Sequence, residues 1–148
     1  MVNAILAKRV NHIVTKGDNP AWPKGSKSRG FSNIYRSPKI LNLNFLLDLK
    51  ELRSIGLDGL SNVEEMPDLS NLHSLTGMSL ANMKRLQSFP LYHENLKNLL
   101  LQLPFDVLDN IIPENLPNLK HISVNLGSDK KNGMVLDRFK GICEVGIW

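Results

Sequence analysis

Residues 49–67 read LKELRSIGLDGLSNVEEMP and residues 72–90 read LHSLTGMSLANMKRLQSFP. Apolar side chains stand at Leu49, Leu52, Ile55, Leu57, Leu60, Val63 and Met66, followed by Pro67. A shift of 23 residues lands on Leu72, Leu75, Met78, Leu80, Met83, Leu86, Phe89 and Pro90. Eight positions match in kind without a gap, far more than chance allows in a chain that is 42% hydrophobic. A period of this length marks an architecture built by stacking one unit on the next. Alternation puts Ile55 and Leu57 on one face of a strand and Ser54, Gly56 and Asp58 on the other. The apolar residues that follow recur at every third position, which suits an extended or 3-10-like return with three residues per turn. Pro67 and Pro90 then fix φ and remove a donor, so neither a regular helix nor a central strand runs through them. No unit buries its stripe alone; stacked units bury it against one another, with their strands side by side in a parallel sheet.

Two further units follow in looser wording. Leu101 and Leu103 lie 23 residues beyond Met78 and Leu80, while Leu96 and Leu99 arrive one residue late. In the fourth unit Leu116, Leu119, Ile122 and Val124 copy the first two and imply a unit shortened by two residues. Ahead of the first full unit, Leu41, Leu43 and Phe45 alternate with Asn42 and Asn44, which predicts a strand over residues 40–45.

Over residues 46–126 this wording resembles the irregular 23-residue units of leucine-rich repeat proteins. The resemblance implies an α/β fold: a short solenoid of about four repeats, with a parallel sheet on its concave face, irregular or 3-10 returns, and caps at both ends. One position departs from the commonest form of that family. Leu60 and Met83 stand where an asparagine or cysteine often bridges neighbouring turns, so no asparagine ladder is expected there.

The remainder bounds the function. With 148 residues the chain is long enough for one domain with a sizeable core. Cys143 is the single cysteine, which excludes an internal disulfide and a cysteine-based zinc site. The four histidines share no metal-ligand spacing, no nucleophile elbow or phosphate loop is present, and neither a catalytic residue nor a cofactor is expected. The longest apolar runs are a few residues, short of the ~20 needed to span a bilayer. Without a signal-peptide pattern the expectation is a cytoplasmic protein. Formal charge is +4, but it is unevenly held: residues 1–40 carry +7 and residues 41–148 carry −3. The N-terminal segment, residues 1–45, therefore reads as a basic arm and cap, with Val2, Leu6, Val10, Ile13 and Val14 at helical spacing. Residues 127–148 read as the C-terminal cap.

The expected function is a non-enzymatic interaction module that binds a protein through the concave face. By alternation that face carries Ser54, Gly56 and Asp58, then Gly77, Ser79 and Ala81, then Leu100, Gln102 and Pro104, then His121, Ser123 and Asn125. Size and fold resemblance extend this reading to a small bacterial immunity or antitoxin protein whose partner is a toxin. The alternative is nucleic-acid or anionic-surface binding through residues 8–39, where Trp22, Phe31 and Tyr35 are interleaved with Lys and Arg as stacking beside phosphate contacts requires.

Overall fold

A computed structural model describes residues 31–36 and 39–147. Among them lie six strands and one α-helix: β1 (Phe31–Tyr35), β2 (Ser54–Asp58), β3 (Gly77–Ala81), β4 (Asn98–Gln102), β5 (His121–Val124), α1 (Asp129–Leu136) and β6 (Glu144–Ile147). The strands form one open parallel sheet in which spatial order equals chain order. Each strand pairs in register with the next: Phe31 with Ser54, Ser54 with Gly77, Gly77 with Asn98, Asn98 with His121, and His121 with Glu144.

The returns confirm the reading of the apolar triplets. Leu72 N–H donates to Leu69 O and Leu75 N–H to Leu72 O, each at 3.0 Å, and Val63 N–H reaches Leu60 O at 3.3 Å. Bonds from i to i−3 eclipse side chains three apart, so one stripe of leucines turns inward. Short 3-10 helices at Asn44–Asp48, Phe105–Val107 and Pro113–Asn115 do the same elsewhere. Ile55, Leu57, Met78, Leu80, Leu99, Leu101, Ile122 and Val124 enter a continuous buried core, with the fully buried Phe45 and Phe139 toward its two ends.

Two expectations need correction. Residues 40–45 are not a strand: Leu43 and Phe45 are buried, but Leu41 is 68% exposed and a 3-10 turn begins at Asn44. The strand before the first unit is β1, 23 residues ahead of β2. Second, the inward pair of the third unit is Leu99 and Leu101, paired with Met78 and Leu80; the two-residue shortening falls between β3 and β4, not before β5. The shortening falls between Ser88, which bridges Glu65 at the full 23-residue offset, and His93. His93 occupies the place held by Leu72 one unit earlier and is fully buried. Its Nε2 lies 3.0 Å from Leu72 O, and its Nδ1 accepts from Asn95 N–H at 3.1 Å. A polar ring with both nitrogens bonded is tolerated where a leucine would sit. At another position asparagines do join coils: Asn95 Nδ2 donates to His73 O at 3.1 Å and Asn118 Nδ2 to Glu94 O at 2.6 Å, each reaching the preceding coil.

Beyond residue 126 the chain adds α1 and then a sixth strand. Ser128 caps α1, its Oγ accepting from Lys131 N–H at 3.3 Å, and the buried Asn132 accepts Leu126 N–H at 2.7 Å. Arg138 then donates from one nitrogen to Leu108 O (2.8 Å) and Ile111 O (3.0 Å), tying the helix exit to the preceding return.

Candidate functional site

The sheet face turned away from the leucine core is where the sequence places the contact residues. Alternation and parallel register set its rows, and the ends of β1, β2 and β3 are fixed by the same device. Arg36 (φ 40°), Gly59 (φ 73°) and Asn82 (φ 54°) occupy equivalent positions one residue past β1, β2 and β3, all in the left-handed region. Their N–H groups donate to Asp58 O, Ala81 O and Gln102 O at 2.8, 3.0 and 3.1 Å, so the turn continues the ladder by one rung. Asn82 also donates from Nδ2 to Asp58 Oδ1 at 2.7 Å, which holds that carboxylate at the rim of the face. Tyr35 lies beside it in register. Burial first, and the Asp58 charge second, push the Tyr35 hydroxyl above its ordinary value.

Twelve residues were assigned to this face, and eleven lie on it. Pro104 does not: it follows the end of β4 and precedes a 3-10 turn. Because the third unit is displaced by two, its row is Asn98, Leu100 and Gln102. Asn98 was therefore missed, and the signal for it was the pairing of Leu96 and Leu99 with Leu75 and Met78. Ser54, Gly56, Gly77, Ser79, Ala81 and Ser123 are buried, Ser79 at 9% exposure and Ser54 at 8%. Small residues on β2 and β3 thus present little side-chain surface. The accessible side chains are Tyr35, Asp58, Asn98, Leu100, Gln102, His121, Asn125 and, from β6, Glu144. None of these eight is lysine or arginine, so the face as described is amide-rich and mildly acidic, with Leu100 as its apolar centre.

At the β5–β6 end His121, Ser123 and Glu144 cluster. His121 Nε2 is 2.8 Å from Ser123 Oγ and its Nδ1 is 3.7 Å from Glu144 Oε2. Nucleophile, base and carboxylate are thereby in sequence, but the Ser123 hydroxyl is buried at 7% exposure and the cluster lies in a parallel sheet whose amides pair with neighbouring strands. The hydrogen bond of the cluster runs along β5, between His121 and Ser123, and Glu144 of β6 stands at ion-pair distance from the ring.

No group of three His, Cys, Asp or Glu side chains is arranged to hold a metal ion among the described residues, and none of the described helices is long and apolar enough to cross a membrane. The basic arm proposed for nucleic acid, residues 8–39, lies largely outside the described residues, as does the helical spacing of residues 2–14.

Comparison with known proteins adds one partial match. Over 90 residues, 61% of its length, the chain is 32% identical to a stretch of the disease resistance protein RPS4B of Arabidopsis thaliana, and it spans 7% of that protein. No protein-family model matches the chain. No solved structure matches it.

Proposed function

We propose that this chain is a leucine-rich-repeat array that binds a protein partner through the outer face of its sheet. The observation that carries this reading is the composition of that face: β2, β4, β5 and β6, with the residue that follows β5, deliver Asp58, Asn98, Leu100, Gln102, His121, Asn125 and Glu144 to one surface while the opposite residues of β2, β4 and β5 fill the core. The partial likeness to a plant disease resistance protein supports the repeat assignment and an interaction role. With acidic and amide groups around one leucine, the face suits a partner surface that pairs basic or hydrogen-bonding side chains with an apolar contact. Burial of such a contact is worth on the order of 25 cal/mol per Å² before association costs.

Affinity purification followed by mass spectrometry identifies the partner, and calorimetry with the purified pair tests the face. Leu100→Arg combined with Gln102→Arg is expected to weaken binding by more than about tenfold, with unfolding unchanged, since both side chains are half-exposed. Unaltered affinity in that double variant refutes the assignment. The nucleic-acid reading makes a different forecast, a steep loss of binding with rising salt, and no observation among the described residues favours it over the sheet face.

A further inference from the structure

The residues immediately before the four inner strands form a row of their own. Arg53, Thr76, Lys97 and Lys120 precede β2, β3, β4 and β5, and one backbone pattern ties them together. Thr76 and Gly77 N–H both donate to Arg53 O, Lys97 and Asn98 N–H to Thr76 O, and Lys120 and His121 N–H to Lys97 O, at 2.8–3.1 Å. In a parallel sheet this sets Lys97 and Lys120 about 4.8 Å apart at Cα, with Arg53 two strands away on the same line. Thr76 fills the gap and donates its hydroxyl to Arg53 O at 3.3 Å. Arg53, Lys97 and Lys120 are exposed, and none has an ion-pair partner among the described residues. Glu51, Glu94 and Glu144 are near in the chain or the register, yet no ion pair joins them to the row. Like charges side by side on adjacent strands repel. The N-terminal segment, which carries +7 over residues 1–40, has the wrong sign to neutralise them.

The row borders the outer face of the sheet. At the opposite border, about 16 Å along β2, stands Asp58, held by Asn82. The face is thus bounded by positive charge where its strands begin and by a fixed carboxylate where β2 ends. We infer that the partner seated on this face is a protein with an acidic segment, laid across the strands along Arg53, Lys97 and Lys120. This rests on the sheet-face reading and adds to it the partner's sign and direction: carboxylates at the row, a basic or amide group toward Asp58. Complementary charge of this kind fixes register and speeds encounter more than it adds affinity. A nucleic acid would find phosphate contacts in the row but no platform for its bases. No Phe, Tyr or Trp stands in the row or on the outer positions of β2–β5.

Fluorescence anisotropy of the full chain with a labelled hexaglutamate peptide, and with a labelled hexathymidylate of similar charge, tests this. Lys97→Glu combined with Lys120→Glu is expected to weaken hexaglutamate binding at least about fivefold at low salt. Lys84→Glu combined with Lys130→Glu makes the same change in net charge elsewhere and is expected to weaken it less than about twofold. All four side chains are exposed, so the far-UV spectra of both variants should match the parent's. Equal losses in the two double variants, or no binding of hexaglutamate to the parent, overturn the proposal. So does a larger loss for hexathymidylate than for hexaglutamate in the row variant, which would give the row to nucleic acid. The peptide titration reads the row and the calorimetry of Leu100→Arg with Gln102→Arg reads the face, so failure of one is told from failure of the other.

Discussion

His93→Leu restores the residue type found one unit earlier, and it is expected to make the protein less stable at neutral pH while abolishing its sensitivity to mild acid. The geometry settles the charge state of the native ring. Asn95 N–H donates to Nδ1, so Nδ1 carries no proton and Nε2–H donates to Leu72 O. Adding a proton would set an N–H against the Asn95 N–H and place a charge in a fully buried site. Burial accordingly holds the His93 pKa below its ordinary 6.5; the Leu72 carbonyl bond and the carboxylates of Glu94 and Asp68 oppose this, and His73 adds to it. The unfolded chain therefore takes up a proton at a pH where the folded chain does not. Stability is complete above about 6.5 and falls on acidification by up to about 1.4 kcal/mol per pH unit, until the depressed folded value is reached. In His93→Leu the Asn95 amide loses its acceptor, while the Leu72 carbonyl keeps the Leu75 N–H, a cost of about 1–3 kcal/mol at pH 7.5, but the acid slope disappears. Urea midpoints between pH 4.5 and 7.5 read both effects, and the two curves should converge toward the acid end. Parallel curves for parent and variant would show that His93 does not control the slope. Asp68 does not confuse the window: Ser70 N–H bonds its carboxylate at 3.0 Å and lowers its pKa below 3.8, so its contribution is lost only at more acid pH.

Other outcomes follow from the same contacts. At the left-handed position 82, Asn82→Ala should destabilise by about 1–2 kcal/mol and Asn82→Gly by less, since only alanine adds a Cβ conflict to the lost Asp58 bond; equal effects in thermal melts would contradict a backbone origin. Gly59→Ala carries the same backbone cost, and its Cβ would also lie 3.1 Å from Arg36 Cγ. Arg138→Met should cost about 1–3 kcal/mol by stranding the Ile111 carbonyl, while Leu108 O keeps the Ile111 N–H. Arg85→Ala should cost under about 1 kcal/mol, although its 3.0 Å pair with Glu64 is as short, because both side chains are about half-exposed or more. Chemical denaturation that ranks these two the other way would refute the distinction between bonding buried carbonyls and pairing in solvent.

Much of the fold was legible because the core-facing leucines obey one spacing. Where a residue broke the leucine wording, legibility failed. His93 meets the geometric demand of a core position with two hydrogen bonds, a solution no hydropathy pattern announces, so the leucine wording alone reads the third unit two residues late. Strand β1 has Ser32 and Ile34 in the places of Ile55 and Leu57, so only half of its signal is apolar. Strand β6 was legible and went unread. Phe139, Ile142, Val145 and Ile147 lie 23 residues after Leu116, Leu119, Ile122 and Val124, yet their place beyond the last assigned unit suggested a cap. On the outer face, alternation located the rows well, but accessibility depends on neighbours. A serine between two paired strands is shielded whatever its polarity, so Ser79 was a weaker choice of contact than Leu100.

Strand order that equals chain order has a bearing on how damage spreads. Each strand of this sheet is hydrogen-bonded only to the one before and the one after it, so the molecule approximates a one-dimensional chain of coupled units in which order propagates by nearest-neighbour contact. Opening should begin at an end, since freeing a terminal coil breaks one interface and freeing an inner coil breaks two. Amide hydrogens of β3 and β4 would then exchange last, and those of β6 early. The contacts proposed at Asn98, Leu100 and Gln102 are thus mounted on the part of the array that is slowest to come apart.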